Sequence, residues 1–313
     1  MSVVASDAAR GSVEAALRGR RVDLRGSVFK GLLVLTLLVA LVVLVALVWT
    51  TWTTAQPVFA ERGWDFVRSD VSALASRAGV WQGVVGSLIL IAFVAVVALP
   101  LGVAAAIYLQ EYARDTRLNR LLIANIRNLA GVPSVVFGIL GLVVFAQALG
   151  FLTGPDVNGS YLSGGLTLAV LVMPIVILVS MEALRAVPTS IREAAYGVGA
   201  TRWEVVRSHV LPYAAPGMFT GTILSLARAF GETAPLLLVG AVTGYINTPS
   251  GRSPLEILQG PYTALPTLVY SFSKQIGDDW RANAAAAIIV LLVVILVVNA
   301  VAILLRNRYE RRW

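Results

Sequence analysis

The sequence predicts an all-α, polytopic membrane protein with six transmembrane helices. Of its 313 residues, 58% are hydrophobic and only 13% are charged, whereas about a quarter of a soluble domain is charged. The mean hydropathy is +0.80. The apolar run from Gly31 to Thr50 carries no charge and is long enough to cross a bilayer. Comparable runs recur along the chain, so the predicted class is a bundle of membrane spans.

The apolar runs place the elements in order. Residues 1–30 form a polar, basic tail, and the transmembrane domain covers 31–305. The first run is too long for the hydrophobic region of a signal peptide, so we interpret it as a signal anchor and first span. Residues 111–120 are expected to form a short charged loop, 246–281 an outer segment, and 306–313 a second basic tail. The predicted spans lie at about 31–50, 84–108, 129–151, 161–181, 216–240 and 282–305.

The distribution of basic residues predicts the orientation. Of the 25 Lys and Arg residues, 17 fall in the two tails and in the loops at 109–120 and 183–212, and six fall in the opposite loops. Basic residues accumulate on the cytoplasmic side of a membrane. Both termini and the 183–212 loop are therefore expected in the cytoplasm.

Several function classes are excluded by residues that the chain lacks. It has no cysteine and a single histidine, His209, which excludes disulfides and thiolate or histidine-cluster metal sites. It has no phosphate-binding P-loop motif, so it does not bind ATP in that way. Its basic residues lie in the tails and loops that flank the apolar runs and do not cluster on one face of the protein, which argues against a nucleic-acid partner.

The 188–212 loop is the longest polar interruption in the second half of the chain. Ser190–Glu193 and Thr201–Glu204 both have the spacing of a capping box, which begins a helix. Gly199 lies between them, where a turn with positive φ is expected. The expected structure is two short helices joined at a glycine corner. Helical spacing predicts one apolar face per helix: Ile191, Ala194, Ala195 and Val198 on the first, and Trp203, Val206 and Val210 on the second. On these residues alone, an ordinary amphipathic loop between two spans is the favoured interpretation.

The same loop resembles the EAA loop of ABC importer permeases. The match falls on Glu193, Ala194, Ala195, Gly199 and Leu211-Pro212, while His209 stands where the family has an apolar residue. The resemblance implies that the loop, including Thr201 and Arg202, is a coupling helix that sits in a cleft of an ATPase subunit.

A wider resemblance covers about Trp81 to Arg308. The segments 131–145, 164–177, 182–188, 199–206 and 227–241 are similar to permease subunits of phosphate ABC importers. This implies a MetI-like permease fold in the lipid of the bacterial cytoplasmic membrane. It also implies a second, non-identical permease, two ATPase subunits and an extracytoplasmic phosphate-binding protein. ATP and Mg²⁺ would bind the ATPase partner, so this chain would carry no cofactor and would not be an enzyme.

Two pairs of charged residues are candidates for the pathway of inorganic phosphate. Arg228 lies within the fifth predicted span and Glu232 follows four residues later, a spacing that puts both on one helix face. A charge at mid-membrane costs about 2.5–3.5 kcal/mol and therefore marks a functional hypothesis, with a structural ion pair as the alternative. In the family, an arginine needed for transport falls on Arg228. Glu182 and Arg185 lie at the end of the fourth predicted span. They are interpreted either as an ion pair at the membrane interface or as a cytoplasmic gate.

Other classes of protein remain open at this point. A self-contained anion channel or an ion-coupled transporter would also use an intramembrane charge pair. An enzyme acting on phosphorylated lipids is less favoured, because the sequence shows no cytoplasmic carboxylate cluster for a metal. Co-purification of an ATPase subunit distinguishes the importer from these alternatives.

Overall fold

The computed structural model describes residues 24–153, 159–242 and 253–310, and most of them are helical. The predicted basic tail before residue 24, the start of the predicted outer segment at 246–252 and the last three residues lie outside the described residues. The chain divides into two compact units, 1–50 and 51–313. In the first unit the described residues 24–50 are helical, and the second unit contains the packed bundle.

The helices take up the apolar runs of the sequence. The first seven are α1 (Leu24–Arg62), α2 (Trp64–Arg68), α3 (Trp81–Ile107), α4 (Arg117–Ala130), α5 (Ser134–Gly141), α6 (Gly150–Thr153) and α7 (Tyr161–Arg185). The next seven are α8 (Thr189–Gly197), α9 (Arg202–Val205), α10 (Leu211–Gly231), α11 (Ala234–Leu238), α12 (Pro254–Gln259), α13 (Leu265–Lys274) and α14 (Asp278–Glu310). π-Helical segments at Tyr108–Tyr112, Leu142–Ala148 and Val206–Val210 extend α3 and α5 and join α9 to α10.

Among the described residues, five helices are long and apolar enough to cross a membrane, and the number is six when α4 and α5 count as one bent span. The predicted all-α, polytopic class is confirmed. The helices run beyond the predicted spans: α1 extends to Arg62 and α14 to Glu310. Hydropathy locates the apolar part of a helix, whereas backbone hydrogen bonding continues into the polar flanks.

The third span differs most from its prediction. The charged loop was predicted at 111–120 and the span at 129–151. Instead, α4 begins at Arg117, and the chain bends by 100° before it continues as α5. Thr116 caps α4 by accepting a hydrogen bond from the Asn119 N–H at 3.2 Å. Pro133 precedes the first residue of α5, where its missing N–H is tolerated and where it disfavours continuation of the preceding helix.

The segment predicted to lie outside the bundle also contributes to the core. Leu265 and Leu268 of α13 are fully buried. Tyr262 donates a hydrogen bond to the Leu236 carbonyl at 2.8 Å, and the Leu265 N–H donates to Ser87 Oγ at 2.8 Å. Burial raises the pKa of the Tyr262 phenol, which keeps it a donor. A ten-residue helix is too short for a hydropathy window, so the sequence analysis took this region for an outer segment.

The centre of the bundle is formed by α7, which packs along both α3 and α10. At one end of α7, a buried apolar cluster joins these spans to the 188–212 loop; its members include Ile177, Met181, Leu184, Val205 and Met218. The loop is thus fixed to the ends of the spans by a shared core.

Candidate functional site

Gly199 forms the corner between the two short helices of the 188–212 loop. Its φ is +85°, which confirms the predicted positive value. The Ala200 N–H donates to the Ala195 carbonyl at 3.1 Å and the Gly199 N–H to the Tyr196 carbonyl at 2.9 Å. This pair of bonds is the Schellman motif that closes a helix C-terminus, with glycine in the left-handed position. The backbone conformation at this position therefore explains why the residue that matches the family's motif is a glycine.

One of the two predicted capping boxes is present. The Thr201 N–H donates to Glu204 Oε2 at 2.7 Å, and the Glu204 N–H donates to Thr201 Oγ1 at 3.4 Å. The box predicted at Ser190 is wrong, because α8 starts at Thr189 with Pro188 before it. Ser190 therefore lies inside the first turn, where its hydroxyl is not positioned as an N-cap.

The loop has a buried side and an exposed side that differ from the predicted apolar faces. Ala195, Val205 and Val210 are buried in the cluster at the end of α7. The exposed side carries Glu193, Ala194, Tyr196, Val198 and Trp203. Ala194 and Val198 were predicted on the buried face; Val198 instead follows the last residue of α8 and is 85% exposed. The exposed surface thus combines apolar and aromatic side chains with charged ones, among them Glu193 and Glu204.

Arg192 connects the loop to two spans. Its Nη2 lies 2.8 Å from Glu111 Oε1, in the π-helical segment after α3. The same guanidinium donates to the carbonyls of Leu184 at 2.9 Å and Val187 at 2.7 Å, at the end of α7. Sequence analysis missed this contact, since 81 residues separate the partners. The available signal was that both charges interrupt apolar runs on the same predicted side.

A second contact joins the loop to the same segment. Arg202 lies over the ring of Tyr112, with its Cζ 5.1 Å from the ring centroid. This is within the range of a cation–π interaction. Glu111 and Tyr112 are neighbours, so α8 and α9 each contact the end of α3.

Arg228 lies in the last turn of α10, and its Nε is 3.7 Å from Glu232 Oε1. The two residues form an ion pair, but they do not share a helix face as predicted. The helix ends at Gly231, and Glu232 has extended backbone with φ −72° and ψ 122°. The Arg228 side chain is 53% exposed and that of Glu232 is 16% exposed. The arginine therefore points away from the core of its own chain.

The residues that follow Arg228 show its depth in the bundle. Ala229 and Phe230 belong to a buried cluster with Val172 and Val176. These two valines lie near the middle of the 25-residue helix α7. The break between α10 and α11 is therefore at mid-depth, next to the ion pair.

Glu182 and Arg185 form an ion pair of 3.1 Å at the end of α7, with side chains 62% and 50% exposed. Their proposed gating role stays a prediction.

Leu211 and Pro212 begin α10 and are half-buried. Over the ranges 24–153, 159–242 and 253–310, no group of three or more His, Asp or Glu residues could hold a metal ion.

Comparison with known proteins decides the family. Residues 98–313 match the family described as binding-protein-dependent transport system inner membrane component. The chain belongs to this family. It is therefore a multi-pass membrane protein of the transport-permease class, as the resemblance implied.

Curated relatives in this family carry phosphate transport names. The chain is 35% identical over 193 residues to "Phosphate transport system permease protein PstA 1" of Mycobacterium tuberculosis, with 62% of this chain and 58% of the relative covered. It is 29% identical to "Phosphate transport system permease protein PstC" of Mesorhizobium japonicum, with 69% and 70% covered. The chain thus spans about three fifths of the length of the PstA relative.

Solved structures support the fold of this permease family. A bacterial alginate ABC transporter in complex with a periplasmic protein aligns at a TM-score of 0.64 and 16% identity, covering 92% of this chain and 98% of that one. The inward-facing MetNI methionine ABC transporter aligns at 0.55 and 19% identity, covering 74% and 94%. The MetI-like permease fold is confirmed by these alignments.

Proposed function

We propose that this chain is a permease subunit that moves inorganic phosphate into the cell across the bacterial cytoplasmic membrane. ATP hydrolysis on a partner ATPase drives the movement, and this chain changes no covalent bond. The observation that carries the proposal is the half-exposed Arg228 at mid-depth of a permease fold. The phosphate transport names of the relatives support phosphate as the substrate.

The exposure of Arg228 supports a second permease as a partner. An arginine facing lipid at mid-membrane is costly, so such residues face a bundle interior or a water-filled path. Arg228 is 53% exposed on its own chain, so its surroundings must be completed by another chain. A pathway between two permeases satisfies this requirement, and the broken backbone after Gly231 is tolerated where it lines a cavity.

The chemistry of the pair suits an oxyanion. A guanidinium offers a planar fork of donors that matches two phosphate oxygens. At 3.7 Å, the Arg228–Glu232 contact is longer than a charge-assisted hydrogen bond of about 2.7–2.9 Å. Phosphate can therefore compete for the fork, while the carboxylate repels the anion and keeps binding weak enough for release.

The 188–212 loop supplies the contact with the ATPase in this proposal. Its exposed side carries Tyr196, Val198 and Trp203, and exposed apolar patches mark protein interfaces. The positive-inside bias supports a cytoplasmic position for this loop and both termini. ATP and Mg²⁺ bind the ATPase dimer there, and a phosphate-binding protein delivers the substrate from the other side.

The test is co-purification followed by transport. The tagged chain is expressed with its second permease and ATPase, purified, and reconstituted in proteoliposomes with the binding protein. ATPase should co-purify, and labelled phosphate should accumulate only with ATP. Phosphate flux that is independent of ATP, without a bound ATPase, would support a channel and contradict the proposal.

A further inference from the structure

The Glu111–Arg192 ion pair is the most enclosed charge contact of the 188–212 loop. Its side chains are 10% and 18% exposed. The Asp115–Arg120 and Glu182–Arg185 pairs nearby are at least half exposed. Exposed pairs contribute little to structure, whereas a shielded pair with further hydrogen bonds holds its partners in one geometry.

The guanidinium of Arg192 also donates hydrogen bonds to backbone carbonyls at the end of a helix. The last carbonyls of an α-helix have no intrahelical donors. Arg192 donates to one of them, at Leu184, and to the Val187 carbonyl just beyond the end of α7. One side chain of α8 therefore holds the ends of both α3 and α7. The loop cannot shift against these ends without losing charge-assisted hydrogen bonds.

The two spans differ in how else they are attached to the loop. α7 is joined to α8 through three residues, Ala186 to Pro188, so the chain itself transmits movement. α3 has no such covalent connection. Besides the apolar cluster that contains its Ala106, the contacts between its end and charged residues of the loop, within the described residues, are those of Glu111 with Arg192 and of Tyr112 with Arg202. Both fall in the π-helical segment Tyr108–Tyr112, and π-helical segments occur frequently at functional sites.

We propose that the Glu111–Arg192 pair is the joint through which movement of the 188–212 loop is passed to α3. Arg192 and Glu111 are positioning residues in this proposal and contact neither phosphate nor ATP. The inference rests on the proposed function, because it needs an ATPase that moves the loop. It adds the residue pair that carries this movement to a span remote in sequence.

The main test is Glu111→Gln in the reconstituted complex. This variant removes the charge, keeps the size of the side chain, and leaves the Arg192 bonds to Leu184 and Val187 intact. Assembly should persist, while phosphate uptake per ATP hydrolysed should fall about tenfold, within the range of measured site-to-site couplings. Glu111→Asp keeps the charge, so its phosphate uptake per ATP hydrolysed should be higher than that of Glu111→Gln. The control is Asp115→Asn, which removes an 81% exposed carboxylate from a neighbouring ion pair and should leave the ratio unchanged.

A second measurement does not depend on the Glu111 variants. The chain has no cysteine, so Tyr112→Cys with Arg202→Cys can be bridged by a short thiol-reactive cross-linker. Uptake is compared before and after cross-linking in this same double variant, because Arg202 belongs to the loop that contacts the ATPase. If the loop and this segment move together, the uptake that the double variant retains should survive cross-linking. Loss of uptake on cross-linking would overturn the inference, because it would mean that the two must separate.

The outcomes separate this inference from the proposed function. A wild-type ratio of uptake to hydrolysis in Glu111→Gln, alongside normal transport by the unmodified complex, would overturn the inference alone. Absence of ATP-dependent phosphate uptake by the unmodified complex would overturn the proposed function, and the inference with it.

Discussion

Replacement of Gly199 tests whether the corner of the 188–212 loop acts through its backbone. At φ +85°, a residue with a Cβ is strained by roughly 1–2 kcal/mol. A Cβ built at Gly199 meets no other atom within 4 Å, so packing adds nothing to this value. Since 1.4 kcal/mol is a factor of ten in an equilibrium constant, Gly199→Ala should shift the equilibrium between the native corner and other loop conformations about tenfold away from the native corner.

Two further variants separate backbone strain from charge. Asparagine tolerates the left-handed region, so Gly199→Asn should be milder than Gly199→Ala. Gly199→Asp has nearly the same shape but adds a negative charge on the exposed side of the loop. Gly199→Asp should insert normally and then weaken ATPase association or uncouple hydrolysis from uptake.

The assay compares the amount in the membrane, the co-purified ATPase and the ratio of uptake to hydrolysis for the three variants. The expected order of that ratio, from highest to lowest, is wild type, then Asn, then Ala. Gly199→Asp should lose more coupling than Gly199→Asn, because its added charge also weakens the contact with the ATPase. Wild-type coupling in both the Ala and the Asp variants would refute the reasoning.

Three other changes have defined outcomes. Deletion of residues 1–20 should preserve uptake once expression is matched, because they precede the first predicted span; complete loss at normal membrane levels would contradict this. Tyr262→Phe removes one of two hydrogen bonds to the Leu236 carbonyl, which keeps its bond from the Ala241 N–H. The loss should lower the unfolding free energy by about 0.5–1.5 kcal/mol, seen as a lower Tm of the purified complex. An unchanged Tm would show that the bond is dispensable. Glu232→Gln should slow turnover more than phosphate binding, and equal effects on both would argue against a role in release.

Local features of this fold were predictable from the sequence. The apolar runs located the long helices, because a bilayer demands about 20 apolar residues regardless of neighbours. The Gly199 corner and the Thr201 capping box depend on a few adjacent residues, and both are present. The Ser190 box failed for an equally local reason, since Pro188, two residues before Ser190, occupies the N-cap position and the helix starts at Thr189.

Features that depend on packing between distant residues were not predictable. The 100° bend between α4 and α5 needs Pro133 together with the apolar contacts that hold α4 on the bundle. The burial of α13 needs the space beside α3 and α14. The Glu111–Arg192 pair joins residues 81 positions apart, and neither charge identifies its partner. The sequence supplied Arg228 and Glu232, whereas the helix break between them came from the structure.

The role of Arg228 as the phosphate contact is tested most directly by uptake in the reconstituted complex. Arg228→Gln should assemble and hydrolyse ATP at the basal rate, while phosphate uptake falls about a hundredfold, the equivalent of about 3 kcal/mol for lost charged hydrogen bonds. Arg228→Lys should also be poor, because a point charge lacks the fork. The matched control is Arg281→Gln, which removes a 78% exposed arginine from an ion pair at the start of α14 and should transport normally. Near-normal phosphate uptake by Arg228→Gln in the assembled complex would contradict the account and make Arg228 a structural residue.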